Sequence, residues 1–243
     1  MDTETKIRLD VKLQKINLAK TRSQANNLIK LSKVKVDGKI VTKSSYLVDN
    51  EAKITLNIRP YVGRAAYKLE SVLEAFKIDF KNKNILDIGS STGGFSELSL
   101  MRGAGHVIAI EKGSNQMDQI LKQDSRIELH ERTDILNVNR LNFIPDIILM
   151  DLSFISIREV LEHILKLITK DAILIIMLKP QFETRSSGYK HKGVIKNQKI
   201  RREIIKAFEL WIKNYCLILN KADSTVLGAK GNQERFYLLR KIE

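Results

Sequence analysis

The chain has 243 residues, an ordinary apolar share of 43% and a net charge of +14. The apolar share excludes a largely disordered protein, and the length allows one sizeable α/β domain and a small additional module. The excess of Lys and Arg over Asp and Glu, 42 against 28, favours a polyanionic partner, either nucleic acid or an anionic membrane surface. A lysine-rich composition that only maintains solubility is the alternative.

The sequence offers little for membrane insertion, secretion or metal binding. The longest apolar stretch, residues 172–178, is far shorter than the roughly 20 residues of a spanning helix. The first ten residues are charged and lack the apolar segment of a secretory signal. Cys216 is the single cysteine, and the four histidines are scattered without metal-ligand spacing. We therefore expect a reduced, cytoplasmic protein without a metal site.

Residues 1–59 predict a small α+β module. Apolar residues at helical spacing indicate a helix over Leu9–Ile16, and Thr21 stands three residues before Gln24, as in a capping box that begins a second helix. Asp37-Gly38 lies between alternating apolar residues, which predicts a β-hairpin.

This module is strongly basic, with thirteen Lys or Arg against six Asp or Glu. Such a charge suits contacts to RNA phosphates, although a solvated basic helix pair is the alternative. The order of Arg8-Leu9-Asp10, Thr21–Ala25 and Val34–Gly38 resembles the ribosomal-protein-S4-type (alpha-L) RNA-binding domain. The basic residues expected to contact RNA in this module are Arg8, Arg22, Lys30, Lys33 and Lys35.

From residue 60 onward, strand-like and helix-like segments alternate, which is typical of a parallel sheet covered on both faces. The predicted strands are 85–88, 107–110, 127–130, 147–150 and 173–178. The predicted helices are 64–77, 94–101, 115–123, 157–168 and 198–212. Two further strands, 216–221 and 236–241, have no helix between them and predict an antiparallel hairpin at one sheet edge. A sheet of this Rossmann-like kind binds its ligand at the carboxyl ends of the strands.

The glycine-rich segment after the first of these strands predicts a cofactor-binding turn. Glycines allow positive φ and close approach of a ligand, and the following helix offers free N–H groups. An ordinary strand-to-helix turn is the alternative. The residues expected to bind the cofactor here are Asp87, Gly89, Ser90, Ser91, Thr92, Gly93, Gly94 and Phe95.

Two acids after the next strands extend this site. Glu111, 22 residues after Gly89, is placed to accept hydrogen bonds from ribose hydroxyls. Asp134 could accept a hydrogen bond from an adenine amino group. The spacing fits a dinucleotide or S-adenosylmethionine. Because the turn lacks the Gly-x-Gly-x-x-Gly pattern and Asp87 suits a cationic ligand better than a pyrophosphate, S-adenosylmethionine is favoured.

Four ionisable residues are candidates for the chemistry. Asp151 and Lys179 end the fourth and fifth predicted strands, at the same edge as the turn, whereas Lys68 lies on the preceding helix and Glu234 begins the last strand. Each alone would be a solvated charge or a strand-end ion pair. Their joint occurrence is what points to catalysis.

These four residues match the Lys-Asp-Lys-Glu tetrad of FtsJ-like RNA 2′-O-ribose methyltransferases, and the chain resembles the TlyA (hemolysin A) family within them. The matching stretches are Tyr61–Arg64, Asp87–Phe95, Glu131–Thr133, Asp151–Ser156, Lys179–Glu183 and Gly228–Glu234. The resemblance implies a class I methyltransferase domain over residues 60–243 behind an RNA-binding domain over 1–59. It also implies S-adenosylmethionine as cofactor and methyl transfer to cytidine 2′-hydroxyls of ribosomal RNA. Family members usually carry aspartate where this chain has Glu111.

Because a ribose hydroxyl is a weak nucleophile, the site must remove its proton and align it with the methyl group. Lys179 is the hypothesised base, since Lys68 and the cationic cofactor both favour its neutral form. Asp151, which also borders the cofactor, and Glu234 would orient it. Lys68 would hold the nucleotide or Asp151.

The segment 183–197 is a long basic loop, expected to clamp RNA and to become ordered on binding. The target nucleotide is expected to leave its stack to reach the site. The remaining expected RNA contacts are Arg64, Arg185, Lys190 and Lys192. Two other functions stay open: a non-catalytic, S-adenosylmethionine-binding ribosome assembly factor and a membrane-active hemolysin.

Overall fold

The computed structural model describes residues 6–57, 60–184, 193–195, 197–228 and 231–242. It divides into two units, Met1–Arg64 and Ala65–Glu243.

The first unit combines two short helices with small antiparallel strands. Its elements are β1 (Ile7–Arg8), α1 (Leu9–Lys15), α2 (Arg22–Lys30), β2 (Val34–Val36), β3 (Lys39–Ile40), β4 (Leu47–Val48) and β5 (Ile54–Leu56). The strands form a sheet of order β3-β2-β5 and a separate β1-β4 pair. Thr21 Oγ1 accepts the N–H of Gln24 at 3.1 Å, so the predicted start of the second helix is confirmed. The predicted hairpin is also confirmed, with Asp37 and Gly38 at φ 49° and 81° as a tight turn requires.

The second unit alternates strands and helices around one sheet. Its first elements are α3 (Arg64–Phe76), β6 (Asn84–Ile88), α4 (Gly94–Met101), β7 (His106–Ile110), α5 (Gln119–Lys122), β8 (Ile127–His130) and β9 (Ile147–Met150). They are followed by α6 (Leu161–Leu167), β10 (Ile173–Leu178), α7 (Gln198–Ile212), β11 (Cys216–Asp223) and β12 (Arg235–Lys241). Among the described residues, 3₁₀ turns lie at Ile135–Asn137, Ile157–Glu159 and Pro180–Phe182.

The seven strands of the second unit have the order β11-β12-β10-β9-β6-β7-β8. The five strands from β10 to β8 are parallel, and β12 runs antiparallel to both β10 and β11. The predicted antiparallel hairpin is therefore confirmed, with the last strand on its inner side. All four residues of β9 are buried, and since successive side chains point to opposite faces, the sheet is covered on both sides as predicted.

Glycine also allows α3 and α4 to approach each other. A Cβ on Gly94, the first residue of α4, would lie 3.0 Å from the backbone nitrogen of Ala66 and 3.2 Å from the Cβ of Ala65. This close packing fixes the position of α3, which carries Lys68.

Two predicted helices differ from the structure. The helix expected over 115–123 is reduced to α5, because Asn115 has φ 55° and the side chain of Asp118 caps the helix by accepting the N–H of Ile120. The helix expected over 157–168 is divided into a 3₁₀ turn and α6. Ser156 and Glu159 form a reciprocal capping box at the start of that turn.

Candidate active site

The strand order brings three of the four tetrad residues together. β6, β9 and β10 end at one edge of the sheet, and β12, being antiparallel, begins there. Leu178 pairs with Arg235, so Lys179 and Glu234 are the next residues on neighbouring strands. Asp151 follows β9, which lies between β10 and β6. The edge therefore presents Glu234, Lys179, Asp151 and the glycine-rich turn in spatial order.

Lys68 completes the group from α3. Its Nζ lies 2.8 Å from Glu234 Oε2, and the two side chains are only 9% and 4% exposed. A Cβ on Gly228 would lie 2.7 Å from Glu234 Oε1, so a residue without a side chain is needed beside this carboxylate. The pair is closed off from solvent.

Lys179 and Asp151 form the second ion pair, which is more accessible. Lys179 Nζ lies 2.5 Å from Asp151 Oδ1 and donates a hydrogen bond to Ser153 Oγ at 2.7 Å. The two side chains are 11% and 16% exposed. Two groups, Asp151 and Ser153, thus fix the lysine nitrogen at this edge of the sheet, and the contact with Ser153 was not predicted.

An exposed aromatic ring lies close to this pair. Phe154 is 92% exposed and adopts φ 68°, which is unusual for a bulky residue. Its ring packs against Phe182 at a centroid distance of 5.3 Å, and Lys179 Nζ lies 5.9 Å from the centre of the Phe182 ring. The backbone therefore holds a large apolar ring in solvent beside the lysine.

The glycine-rich turn directly contacts the acid of this pair. Gly89 has φ 80°, and a Cβ there would lie 2.7 Å from the backbone oxygen of Asp151. Gly93 has φ 90° and caps α4 without a side-chain hydrogen bond, and a Cβ there would lie 2.5 Å from Leu121 Cδ1. Gly89 is required by conformation and by space, because a Cβ there would meet backbone, whereas Gly93 is required by its positive φ.

Buried polar oxygens under this turn indicate what kind of ligand the site fits. Asp87 is fully buried; Ser96 Oγ donates to its Oδ2 at 2.6 Å, whereas Oδ1 has no hydrogen-bond partner among the described residues. Ser90 Oγ is also buried without a described partner. Burial, with a smaller contribution from the negative charges of Asp151 and Glu111, raises the pKa of Asp87 to about 7, although the hydrogen bond from Ser96 opposes the shift. This concentration of negative charge and open acceptors fits a cationic ligand with an amino group, as S-adenosylmethionine has.

Glu111 is held against the turn, as its position after β7 predicts. Its carboxylate accepts the N–H of Ser91 at 2.9 Å and the N–H of Gly113 at 2.6 Å. Asp134 caps the 3₁₀ turn after β8 and accepts a hydrogen bond from Lys112 Nζ at 2.8 Å, which holds the pKa of that carboxyl below its usual range. Part of the hydrogen-bonding capacity of each acid is thus used within the protein.

A buried carboxylate that was not foreseen joins the two loops of the ion pair. Glu183 accepts hydrogen bonds from Ser156 Oγ at 2.6 Å and from the N–H of Ile157 at 2.8 Å. Glu183 follows the strand end that carries Lys179, and Ser156 follows the one that carries Asp151. Burial raises the pKa of Glu183. Both residues lie in stretches that match the family, which was the available signal.

Asn232 plays a similar part near Glu234. Its Oδ1 accepts the N–H of Ile195 at 2.9 Å, and its Nδ2 donates to Gly193 O at 3.3 Å. Asn232, two residues before Glu234, is thereby tied to Gly193 and Ile195, which precede α7. The predicted RNA contacts Arg185, Lys190 and Lys192 lie outside the described residues.

In the first unit, buried Asp10 organises two of the predicted RNA-binding arginines. Arg8 donates two hydrogen bonds to the Asp10 carboxylate at 3.0 and 3.1 Å, and Arg22 Nη2 donates another at 2.9 Å. The Arg8 hydrogen bond is the largest cause that lowers the pKa of Asp10 to about 2. Lys30 is exposed, and Lys33 and Lys35 are half-buried. Arg64 begins α3.

The described residues show neither a metal cluster nor a membrane-spanning helix. No cluster of three or more His, Cys, Asp or Glu suited to a metal ion occurs among the residues that the structure describes. Within the same residues, no helix combines the length and apolar character that crossing a membrane requires.

Comparison with known proteins places both units. The FtsJ-like methyltransferase model matches residues 61–241, and the S4 domain model matches residues 7–54. A 16S/23S rRNA (cytidine-2′-O)-methyltransferase TlyA from Mycobacterium tuberculosis is 35% identical over 96% of this chain and 89% of its own length. A 23S rRNA (cytidine-2′-O)-methyltransferase TlyA from Campylobacter jejuni is 38% identical over 79% of this chain and 75% of its own length.

A solved structure of a similar protein supports the same family assignment. A candidate hemolysin from Streptococcus thermophilus superposes with a TM-score of 0.73 at 27% identity, covering 99% of this chain and 90% of the other. The predicted fold, a Rossmann-like methyltransferase sheet preceded by a small RNA-binding domain, is confirmed. The chain belongs to the FtsJ-like methyltransferases and, among them, to the TlyA (hemolysin A) family.

Proposed function

We propose that this chain transfers the methyl group of S-adenosylmethionine to the ribose 2′-hydroxyl of cytidines in ribosomal RNA. The observation that carries the proposal is the row of Glu234, Lys179 and Asp151 on adjacent strand ends, beside a turn shaped for a cationic donor. The named activities of the M. tuberculosis and C. jejuni relatives support the substrate. An RNA substrate of this kind also supports action in the cytoplasm, on ribosomal subunits.

We further propose that residues 1–59 bind RNA and residues 60–243 catalyse methyl transfer. Basic residues assigned to RNA contact are Arg8, Arg22, Lys30, Lys33, Lys35, Arg64, Arg185, Lys190 and Lys192. Phe154 offers an exposed ring on which a nucleobase near Lys179 can stack.

S-adenosylmethionine is the cofactor, and when bound it supplies an activated methyl group on a positively charged sulfur. The residues proposed to hold it are Asp87, Gly89, Ser90, Ser91, Thr92, Gly93, Gly94, Phe95, Glu111, Asp134 and Asp151. The open Oδ1 of Asp87 and the hydroxyl of Ser90 supply buried hydrogen-bonding atoms. Glycines 89 and 93 leave the main chain accessible.

Lys179 is proposed to receive the proton of the 2′-hydroxyl as the new bond between ribose oxygen and methyl carbon forms and the old bond to sulfur breaks. Asp151 and Ser153 hold Lys179 Nζ in place by the ion pair and hydrogen bond described above. The buried Lys68–Glu234 pair anchors the start of β12 next to Lys179.

The test is a single-turnover assay with radiolabelled S-adenosylmethionine and purified ribosomal subunits or their naked RNA. We expect label in RNA, and nuclease mapping should locate it on the ribose of cytidines. Label on a base, or no transfer by a protein that binds the donor normally, would contradict the proposal; the second outcome would favour an assembly factor. Lysis of erythrocytes by the purified protein without RNA methylation would favour the hemolysin alternative.

A further inference from the structure

One exposed face of α7 is made of cations. Its members are Lys199, Arg202, Lys206 and Lys213, all exposed. Lys213 is the C-cap residue of α7, and its backbone dihedral angles are still helical. At about 100° per residue, the four positions fall within an arc of about 60°. We call these four residues the α7 basic face.

The α7 basic face is not neutralised by neighbouring side chains. None of its four residues forms an ion pair with a described residue. The acid Glu209 on the same helix is engaged elsewhere, with Lys221 and with the hydroxyl of Tyr237. Glu203 borders the face and has an interaction of its own. Glu203 and Glu209 lie four residues from Lys199 and Lys213 on the helix, so the absence of these ion pairs among the described residues leaves the four positive charges facing solvent.

Two of the four charges also do not stabilise the helix itself. Lys199 and Arg202 lie near the start of α7, and the first turn contains no acid. Cations are unfavourable near a helix N-terminus, which carries a partial positive charge of its own. Asn197 Oδ1 already accepts the N–H groups of Lys199 and Ile200, so it is the cationic side chains themselves that attract phosphate here.

The opposite side of α7 holds the helix rigidly beside the active site. Arg201 is buried, donates from Nη2 to Asp223 Oδ1 at 2.7 Å, and donates from Nε to the backbone oxygen of Gln233 at 3.3 Å. Gln233 immediately precedes Glu234. The start of the α7 basic face is therefore anchored at the sheet edge that carries the tetrad.

We propose that the α7 basic face binds the phosphate backbone of the substrate RNA, outside the nucleotide that is methylated. The face extends about 20 Å at 1.5 Å per residue, enough for several phosphates. The inference rests on the proposed function for RNA as the substrate class and adds the surface that positions it. Phosphate contacts of this kind fix register and orientation without reading sequence.

The experiment compares two triple variants with the same change in charge. K199Q/R202Q/K206Q alters the face, whereas K77Q/K81Q/K166Q alters exposed lysines that precede β6 or end α6, at the amino edge of the sheet. Binding to a ribosomal RNA transcript is measured from 50 to 200 mM salt. We expect the slope of log affinity against log salt to fall in magnitude by about two to three for the first variant. The control should change it by less than one.

Further measurements keep the inference falsifiable. The charge-preserving variant K199R/K206R/K213R should retain the wild-type slope, and S-adenosylmethionine affinity should be unchanged in all variants. Equal salt slopes for the two triple variants would overturn the inference. It would also be overturned if K199Q/R202Q/K206Q lost binding to phosphatidylglycerol vesicles but kept the wild-type salt slope for RNA. If the wild type binds RNA through this face but transfers no methyl group, the inference stands and the proposed function fails.

Discussion

The sheet edge that carries the candidate active site has two halves, a donor side and an acceptor side, which are built differently. On the donor side, β6 and β7 supply a turn whose shape depends on glycine conformations and on backbone N–H groups that bind Glu111. On the acceptor side, β9, β10 and β12 supply two lysine–acid pairs in which side chains from distant parts of the chain meet. Donor binding is thus set mainly by main-chain geometry, and proton transfer by ion-pair geometry.

The two halves are in direct contact. Gly89 leaves room for the backbone oxygen of Asp151, so the donor turn abuts the residue that holds the base. Changes on one side should therefore separate binding from catalysis, whereas changes at the contact should affect both.

The largest separation between donor binding and methyl transfer is expected for Lys179→Met. Removing the base should lower the single-turnover methylation rate by about 10²- to 10⁴-fold, the usual contribution of general base catalysis. S-adenosylmethionine affinity, measured by calorimetry, should stay within about twofold. Lys179→Arg should also be inactive, because a guanidinium keeps its proton. Lys166→Met, at an exposed site on α6, is the control, and normal methylation by Lys179→Met would end the assignment.

A change of pH should act on the donor side through Asp87. Because its pKa is raised to about 7 in the folded protein, the protonated carboxyl favours folding, and this stabilisation is lost as pH rises from about 4 to 7. The free energy of unfolding of the ligand-free protein, relative to Asp87→Asn, should fall by up to about 4 kcal/mol over this range. Chemical denaturation at each pH measures it. If the difference in unfolding free energy between the wild type and Asp87→Asn did not change with pH, Asp87 would be ionised at little cost. Asp171→Asn, at an exposed position, is the control.

Gly89→Ala tests the contact between the halves. Its Cβ would meet the Asp151 oxygen at 2.7 Å, whereas Gly103, also at positive φ, would meet nothing closer than 3.4 Å. Gly103→Ala should cost about 1 kcal/mol of unfolding free energy from conformation alone. Gly89→Ala should cost about 2–3 kcal/mol, since the clash adds to it, and should weaken both donor binding and methylation. Equal losses in the two variants would mean that the backbone shifts without cost.

The smallest effect is expected for Glu183→Gln on the acceptor side. This change weakens the hydrogen bonds that join the loops of Asp151 and Lys179, so the methylation rate at saturating RNA should fall about tenfold. Donor affinity should not change. Ser156→Ala should lower the rate similarly, and the double variant should be no worse than either, because one hydrogen bond serves both residues. Additive losses would argue against a shared role.

Local sequence signals were sufficient for three strands of the parallel sheet and for the donor turn. The predicted strands over 127–130, 147–150 and 173–178 have the bounds found in the structure. The turn after β6 was recognisable because its glycines and Asp87 lie within one short segment. The helix expected after Glu111 was largely wrong, since Asn115 takes a left-handed conformation that helical periodicity does not reveal.

The acceptor side depends on strand pairing, which periodicity does not contain. Four ionisable residues could be selected at strand ends and on a helix, but their division into Lys68–Glu234 and Lys179–Asp151 follows from β12 lying beside β10. The supporting contacts of Ser153, Glu183 and Asn232 required the positions of loops. Side-chain partners of this kind become visible only when the backbone is known.

The position of β12 also determines the order in which the enzyme can be assembled during synthesis. β12 is the last of the described strands to leave the ribosome, yet it occupies a place between β10 and β11. The donor turn and Asp151 can be in place while the final hairpin is still being translated, but Glu234 and its pairing with Lys68 cannot. A nascent chain can therefore acquire a site for the methyl donor well before it acquires the means to use it.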